Sequence, residues 1–126
     1  MLFDTDILIW CLRGNPRAAR VVDSDSMRAT SVVNVMELLQ GSRDRKEVGL
    51  IRSFLKDLGF EVIPLTENIG HRALVYVEEY ALKSGLHVAD ALVAATAVER
   101  QAILCSGNLR HYRAISELEV KGFRAE

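Results

Sequence analysis

The stretch MLFDTDILIW sets two carboxylates one residue apart, Asp4 and Asp6, into an apolar run that otherwise reads as a buried strand. A strand interior has no use for such groups, because burying an unpaired charge is costly. Two chemistries ask for them. In one, the first acid is a phosphoryl-accepting nucleophile and the second its general acid. In the other, an acid at a strand end is a metal ligand whose companions arrive from distant parts of the chain. Candidate companions exist. Glu37 lies three residues after Asn34, on one face of the helix VVNVMELLQ. Asp90 falls in the first turn of HVADALVAATAVER, where the helix dipole favours an anion. Ser31 closes the segment MRATS, and Ser106 and Asn108 lie at and just past the end of AILCS. Such a set is all oxygen, with no Cys or His cluster at metal spacing, and therefore points to Mg²⁺ or Mn²⁺ rather than Zn²⁺. Carboxylates gathered without a cation raise one another's pKa values. With a cation they suit phosphate or phosphodiester chemistry.

The elements that must position these groups follow from local pattern. A strand near Leu2–Asp4 runs into a short helix stopped around Gly14 and Pro16, and Pro16 starts PRAARVVDSD. The strand MRATS precedes SVVNVMELLQG, a helix ended by Gly41 that is apolar at 32, 33, 35, 36, 38 and 39 and so is expected to be buried on most of its surface. Val48, Ile51, Leu55 and Leu58 mark an amphipathic helix over 44–58. EVIPL is a strand, and 66–84 is a helix capped by Thr66 and ended by Gly85. The Ala-rich helix 87–100, the strand AILCS, the helix NLRHYRAISEL and the edge strand VKGF complete the chain. Strands alternating with helices predict parallel pairing by right-handed crossovers, hence a three-layer α/β/α sandwich with a mainly parallel central sheet. In such sheets ligands bind beyond the carboxyl ends of the strands, which is where the polar candidates fall.

The 126 residues read as one domain, 1–126, without linker, repeat or low-complexity segment. A net charge of −1 excludes a globally basic surface, so any nucleic-acid contact must use a local patch. The basic residues are mostly Arg, the better phosphate clamp. Cys11 and Cys105 are lone thiols in apolar surroundings, which fits a reducing, cytoplasmic setting. Neither a signal peptide nor a run of the ~18 apolar residues of a membrane span is seen.

Four segments together resemble a family. DTDILI at 4–9, SVVNVMELLQG at 31–41, HVADALVAATA at 87–97 and LCSGNLRHY at 104–112 are similar, in order and over nearly the whole chain, to the blocks of PIN-domain ribonucleases, and above all to the toxin subunit of VapBC-type toxin–antitoxin modules. The resemblance implies a PIN fold and endonucleolytic cleavage of RNA with Mg²⁺ or Mn²⁺. It makes Asp4, Glu37, Asp90 and Asn108 the catalytic and metal-binding set. The position of Asn108 is Asp or Asn in the family. Asp6 stands where the family often has Asn or Ser, and Ser106 where it has Thr or Ser. Asp6, Ser31 and Ser106 are then supporting residues. The implied partners are an RNA substrate, a second copy of the chain in a homodimer, and a small antitoxin that covers the acidic site and alone contacts operator DNA. No membrane is implied. Arg13, Arg110 and Arg113, with Arg17 and Arg20, are candidates for holding RNA phosphates. His111 is expected to cap or pack the last helix.

Two other readings compete. DTDIL also matches the first motif of haloacid-dehalogenase-like phosphatases, though no later paired acids follow and the chain is short for that fold. A PIN-like domain that binds without catalysis is the third, and the amide of Asn108 permits it.

Overall fold

The computed structural model describes residues 1–126. Five short strands alternate with seven helices in chain order: β1 (Leu2–Phe3), α1 (Thr5–Leu12), α2 (Pro16–Asp23), β2 (Ala29–Ser31), α3 (Val32–Gln40), α4 (Arg45–Asp57), β3 (Glu61–Ile63), α5 (Glu67–Ser84), α6 (Val88–Glu99), β4 (Leu104–Ser106), α7 (Leu109–Tyr112) and β5 (Val120–Gly122). The sheet order is β3-β2-β1-β4-β5 and every pairing is parallel.

Side chains alternate across the sheet and define two cores. Leu2, Ile63 and Leu104 face a layer built from α5, α6 and the segment after α7. Phe3 and Cys105 face the opposite layer, with Ile7 and Leu8 of α1, Val22 of α2, Val35 and Leu38 of α3, and Ile51 and Leu55 of α4. These two clusters are the outer interfaces of the expected sandwich. The Ala-rich surface of α6 is buried at Ala91, Ala94, Ala95 and Ala97, which lets its backbone approach α5 and the sheet closely. Arg72 of α5 ties these elements, reaching Glu99 at 2.6 Å and Glu117 at 2.8 Å. No helix is long and apolar enough to cross a membrane.

The predicted boundaries hold closely, with three instructive departures. β3 stops at Ile63, before Pro64, which has no N–H for the ladder. The last predicted helix is only Leu109–Tyr112. Beyond it Tyr112, Ile115 and Leu118 are buried at a spacing of three, and successive i→i−3 hydrogen bonds, Ile115 to Tyr112 and Leu118 to Ile115, carry the chain in tight turns that a 3.6-residue helix cannot match. The third departure is α3. Its apolar pattern predicts burial nearly all round, yet Met36 is 56% exposed and Glu37 is exposed as well. The helix lies at the rim of the molecule, packed on α1, α4 and α6, with one apolar edge left open.

β1 is central. The chain moves from it to β2 and β3 on one side, and later reaches β4 and β5 on the other. Directly after β1 the chain enters α1 in one layer, whereas after β4 it enters α7 in the other. The carboxyl ends of β1 and β4 therefore flank the crevice where an open α/β sheet takes its ligand.

Candidate active site

Asp4 sits in that crevice. It follows β1 as the N-cap of α1, with extended backbone angles, and is 5% exposed. Burial of a carboxylate at this depth needs donors, and Asp4 has four. Its Oδ1 accepts from the Thr5 amide at 2.9 Å and the Asn34 amide group at 3.0 Å. Its Oδ2 accepts from the Ser106 hydroxyl at 2.8 Å and the Tyr112 hydroxyl at 3.0 Å. The register of β1 on β4, Phe3 opposite Cys105, places Asp4 beside Ser106.

Tyr112 extends the site to a second acid. Its hydroxyl lies 3.4 Å from Asp90 Oδ1, and with a single proton it stands between two carboxylates. Burial, followed by the charges of Asp4 and Asp90, pushes the phenol far above its ordinary pKa, so it remains a donor. Asp90 lies in the first turn of α6, whose N-terminal N–H groups favour an anion. Its other oxygen, Oδ2, is buried without a hydrogen bond. His111 Nδ1 lies 3.2 Å from that oxygen, close enough for an ion pair but not aligned for a hydrogen bond. His111 therefore faces the acidic site instead of capping the last helix, and its ring meets that of His87 edge-on at 6.0 Å.

Glu37 joins from the opposite side. Asn34 is fully buried, and its Oδ1 accepts from the Ser31 amide at 3.0 Å. Its amide nitrogen is thereby fixed as the donor to Asp4 and, at 2.9 Å, to the Thr5 hydroxyl. Thr5 in turn donates to Glu37 Oε1 at 2.7 Å. A continuous set of hydrogen bonds thus runs from Glu37 through Thr5 and Asn34 to Asp4, and through Tyr112 to Asp90.

The remaining sequence candidates are placed differently. Asp6 turns away from Asp4 towards the β4–α7 connection, where Oδ2 accepts from the Gly107 amide at 2.8 Å, while Oδ1 accepts from Ile7 at 2.9 Å. A Cβ at Gly107 would lie 2.6 Å from that oxygen, so the contact needs glycine there. Burial first, and the charge of Asp4 second, push the Asp6 carboxyl up to about 6. Ser31 caps α3 by accepting from Val33 at 3.1 Å and makes no hydrogen bond to the acids. Asn108 is exposed and its side chain caps nothing, whereas its backbone amide donates to Ser106 Oγ at 3.0 Å. Arg13 shares with Glu37, Arg43 and Glu47 a groove of about 760 Å³ between α1, α3 and α4, its guanidinium 5.8 Å from the centre of the Trp10 ring. Arg17, Arg20, Arg110 and Arg113 are exposed. Both thiols are pushed up to about 11, chiefly by burial, and are poor nucleophiles. Thr5 and Tyr112 went unrecognised as site residues. Thr5 lies inside the DTD motif, and Tyr112 is a lone phenol at a buried apolar spacing, which signals a hydroxyl in search of a partner.

The donor chemistry fits a hard divalent cation. Asp90 Oδ2 is a buried carboxylate oxygen lacking a hydrogen bond, Asp4 lies across a shared hydroxyl from it, and the one nitrogen near that oxygen is His111 Nδ1 at 3.2 Å. No three acidic, His or Cys side chains are gathered tightly enough to cage an ion by themselves.

A parallel three-layer sandwich with carboxylates from separate elements at its switch point defines a class of α/β domains with an acidic site. The model of the PIN domain family matches residues 1–116, and the chain belongs to that family. Ribonuclease VapC19 of Mycobacterium tuberculosis (strain CDC 1551 / Oshkosh) is 29% identical over 123 residues, covering 94% of this chain and 96% of that protein. A toxin–antitoxin complex from Klebsiella pneumoniae superposes with a TM-score of 0.80 at 25% identity, covering 99% of this chain and 97% of the other. VapBC2 from Rickettsia felis, bound to a DNA fragment from its promoter, also gives 0.80, at 18% identity and 98% coverage of each chain. The phosphatase reading of DTDIL falls on family membership. It falls also on geometry, since Asp6 is engaged by two backbone N–H groups and points away from Asp4.

Proposed function

We propose that the chain is an endoribonuclease and the toxin subunit of a type II toxin–antitoxin module, acting as a single domain on RNA phosphodiester bonds with Mg²⁺ or Mn²⁺. The observation that supports this most is the Tyr112 hydroxyl set between Asp4 and Asp90, two carboxylates from different elements, of which Asp90 has an oxygen that accepts no hydrogen bond. Asp4 and Asp90 would hold the cation, with Glu37 and Asn108 at the margins of the site. Bound there, a divalent cation supplies positive charge to a phosphoryl oxygen and acidifies a water molecule. The protein's own part is positional. Ser106 and Asn34 fix the orientation of Asp4, α6 presents Asp90, and Arg13, Arg110 and Arg113 contribute charge for the RNA backbone.

The comparison with VapC19 supports the ribonuclease reading, and the Klebsiella pneumoniae complex supports a small antitoxin as partner. The groove beside Glu37 and the exposed Leu74, Val75 and Leu82 of α5 offer apolar surface for an antitoxin segment and for a second copy of the chain. Contact with operator DNA would then come through the antitoxin.

The test is incubation of the purified protein, freed of antitoxin, with a pool of structured RNA in Mg²⁺, in Mn²⁺ and in EDTA, alongside Asp4→Asn. We expect cleavage that needs metal and falls by at least ~100-fold in the variant, since even residues that merely support ligands cost about 10–100-fold. The variant should fold, because the Ser106 and Tyr112 hydroxyls can turn to serve an amide. Cleavage that persists in Asp4→Asn would remove this residue from the site. Absence of cleavage with either metal, joined by unimpaired RNA binding, would favour a domain that only binds.

A further inference from the structure

Glu37 is exposed on a rim helix, and the one hydrogen bond of its side chain is the 2.7 Å contact from Thr5. The direction of that bond is settled by its neighbours. Asn34 Oδ1 already accepts from the Ser31 backbone amide, so the group facing Thr5 is the amide NH₂, which can only donate. The Thr5 oxygen accepts that proton, and its own hydroxyl proton is left to Glu37. On its other side Glu37 borders the groove whose lining includes the cations Arg13 and Arg43. Arg43 is engaged by Glu47 at 3.1 Å, but Arg13 makes no ion pair and gives the exposed glutamate a competing place to go, and long exposed side chains hold one rotamer only where something fixes them.

We infer that Thr5 is a positioning residue whose hydroxyl keeps the Glu37 carboxylate turned towards Asp4, against the pull of Arg13 across the groove. The inference rests on the metal-nuclease reading for its consequence and on geometry alone for its structural part. Thr5 thereby couples α3 to the end of β1: the single Asn34 amide group orients Asp4 directly and Glu37 through the Thr5 hydroxyl.

The experiment compares wild type, Thr5→Ser, Thr5→Val, Glu37→Gln and the double variant Thr5→Val/Glu37→Gln. Valine keeps the shape of threonine and removes its hydroxyl, and serine restores the hydroxyl alone. Two readouts are taken on the purified full chain: the Mn²⁺ concentration at half-saturation by calorimetry, and the Glu37 side-chain rotamers from NMR couplings in the metal-free protein. One dominant Glu37 rotamer is expected in wild type and Thr5→Ser, and averaging in Thr5→Val. Half-saturation should rise about 10-fold in Thr5→Val, stay near wild type in Thr5→Ser, and not rise further when Thr5→Val is added to Glu37→Gln. A Thr5→Val protein with wild-type rotamers and Mn²⁺ binding overturns the inference and leaves the nuclease reading standing. Equal losses in Thr5→Ser and Thr5→Val, or additive losses in the double variant, overturn it by assigning Thr5 to packing. Failure of wild type to bind Mn²⁺ at all sinks the metal-nuclease reading, and the inference with it.

Discussion

Four donors reach Asp4, whereas Asp90 shares one hydroxyl and has an oxygen with none. Tyr112 is the hinge of that imbalance. Its loss in Tyr112→Phe leaves Asp90 without a hydrogen bond and two carboxylates facing each other across a bare ring. We expect the metal-free protein to lose about 1–3 kcal/mol in urea unfolding, and the loss to shrink when saturating Mg²⁺ supplies the missing charge. Equal losses with and without Mg²⁺ would show that the hydroxyl does not lie where a cation acts. Asp6 gives a pH signature. Its carboxyl titrates near 6 when folded against 3.8 as the reference value. Between those values the folded state holds the extra proton, so in EDTA this residue makes stability fall as pH rises from about 4 to about 6, with no further change above. In Asp6→Asn that fall should be absent from a melting-temperature series over the same range, and a series that superposes on wild type would remove the effect. These side chains are near neighbours in space yet far apart in sequence, 108 residues in the case of Asp4 and Tyr112, so no local pattern announces their meeting.

The helix starts carry the site at the next scale. Asp4 caps α1, Asp6 lies in its first turn, and Asp90 lies in the first turn of α6, so two N-termini direct their N–H groups at the same crevice and offset part of the acid–acid repulsion. α3 shows the same economy differently: Ser31 and Asn34 form a capping box, and the Asn34 amide group is thereby freed to face Asp4. The sequence placed Ser31 among the supporting residues because it closes a strand, but its hydroxyl is occupied by the Val33 amide. Ser31→Ala should lower stability by about 1 kcal/mol, as loss of an N-cap does, while the metal requirement of any cleavage stays unchanged. A larger change in metal requirement than in stability would return Ser31 to the site.

For the whole molecule, topology decides the location and charge decides the approach of RNA. With a net charge of −1, backbone contacts must come from local clusters such as Arg110 and Arg113 near Asn108. Reversing both to Glu should weaken RNA binding and flatten the slope of log affinity against log salt by about 1 to 2, roughly one unit for each phosphate no longer neutralised, in filter-binding titrations. An unchanged slope would place the RNA elsewhere. The two cores on either face of the sheet enclose β1 and β4 fully, which is why Asp4 beyond β1 and Ser106 at the end of β4 are held so closely.

The order of elements, the parallel sandwich and the identity of Asp4, Glu37 and Asp90 as candidates were legible in the chain alone, because helical period, Gly and Pro punctuation and a charge in an apolar run are properties of neighbouring residues. Only the tertiary structure decided that Glu37 is exposed and tethered by Thr5, that Asn108 stands free, that Asp6 faces Gly107, and that Tyr112 and His111 face the acids. Each of these depends on which side chains from separate elements meet at a sheet edge, and that meeting is set by crossover topology and packing rather than by any residue's neighbours in sequence.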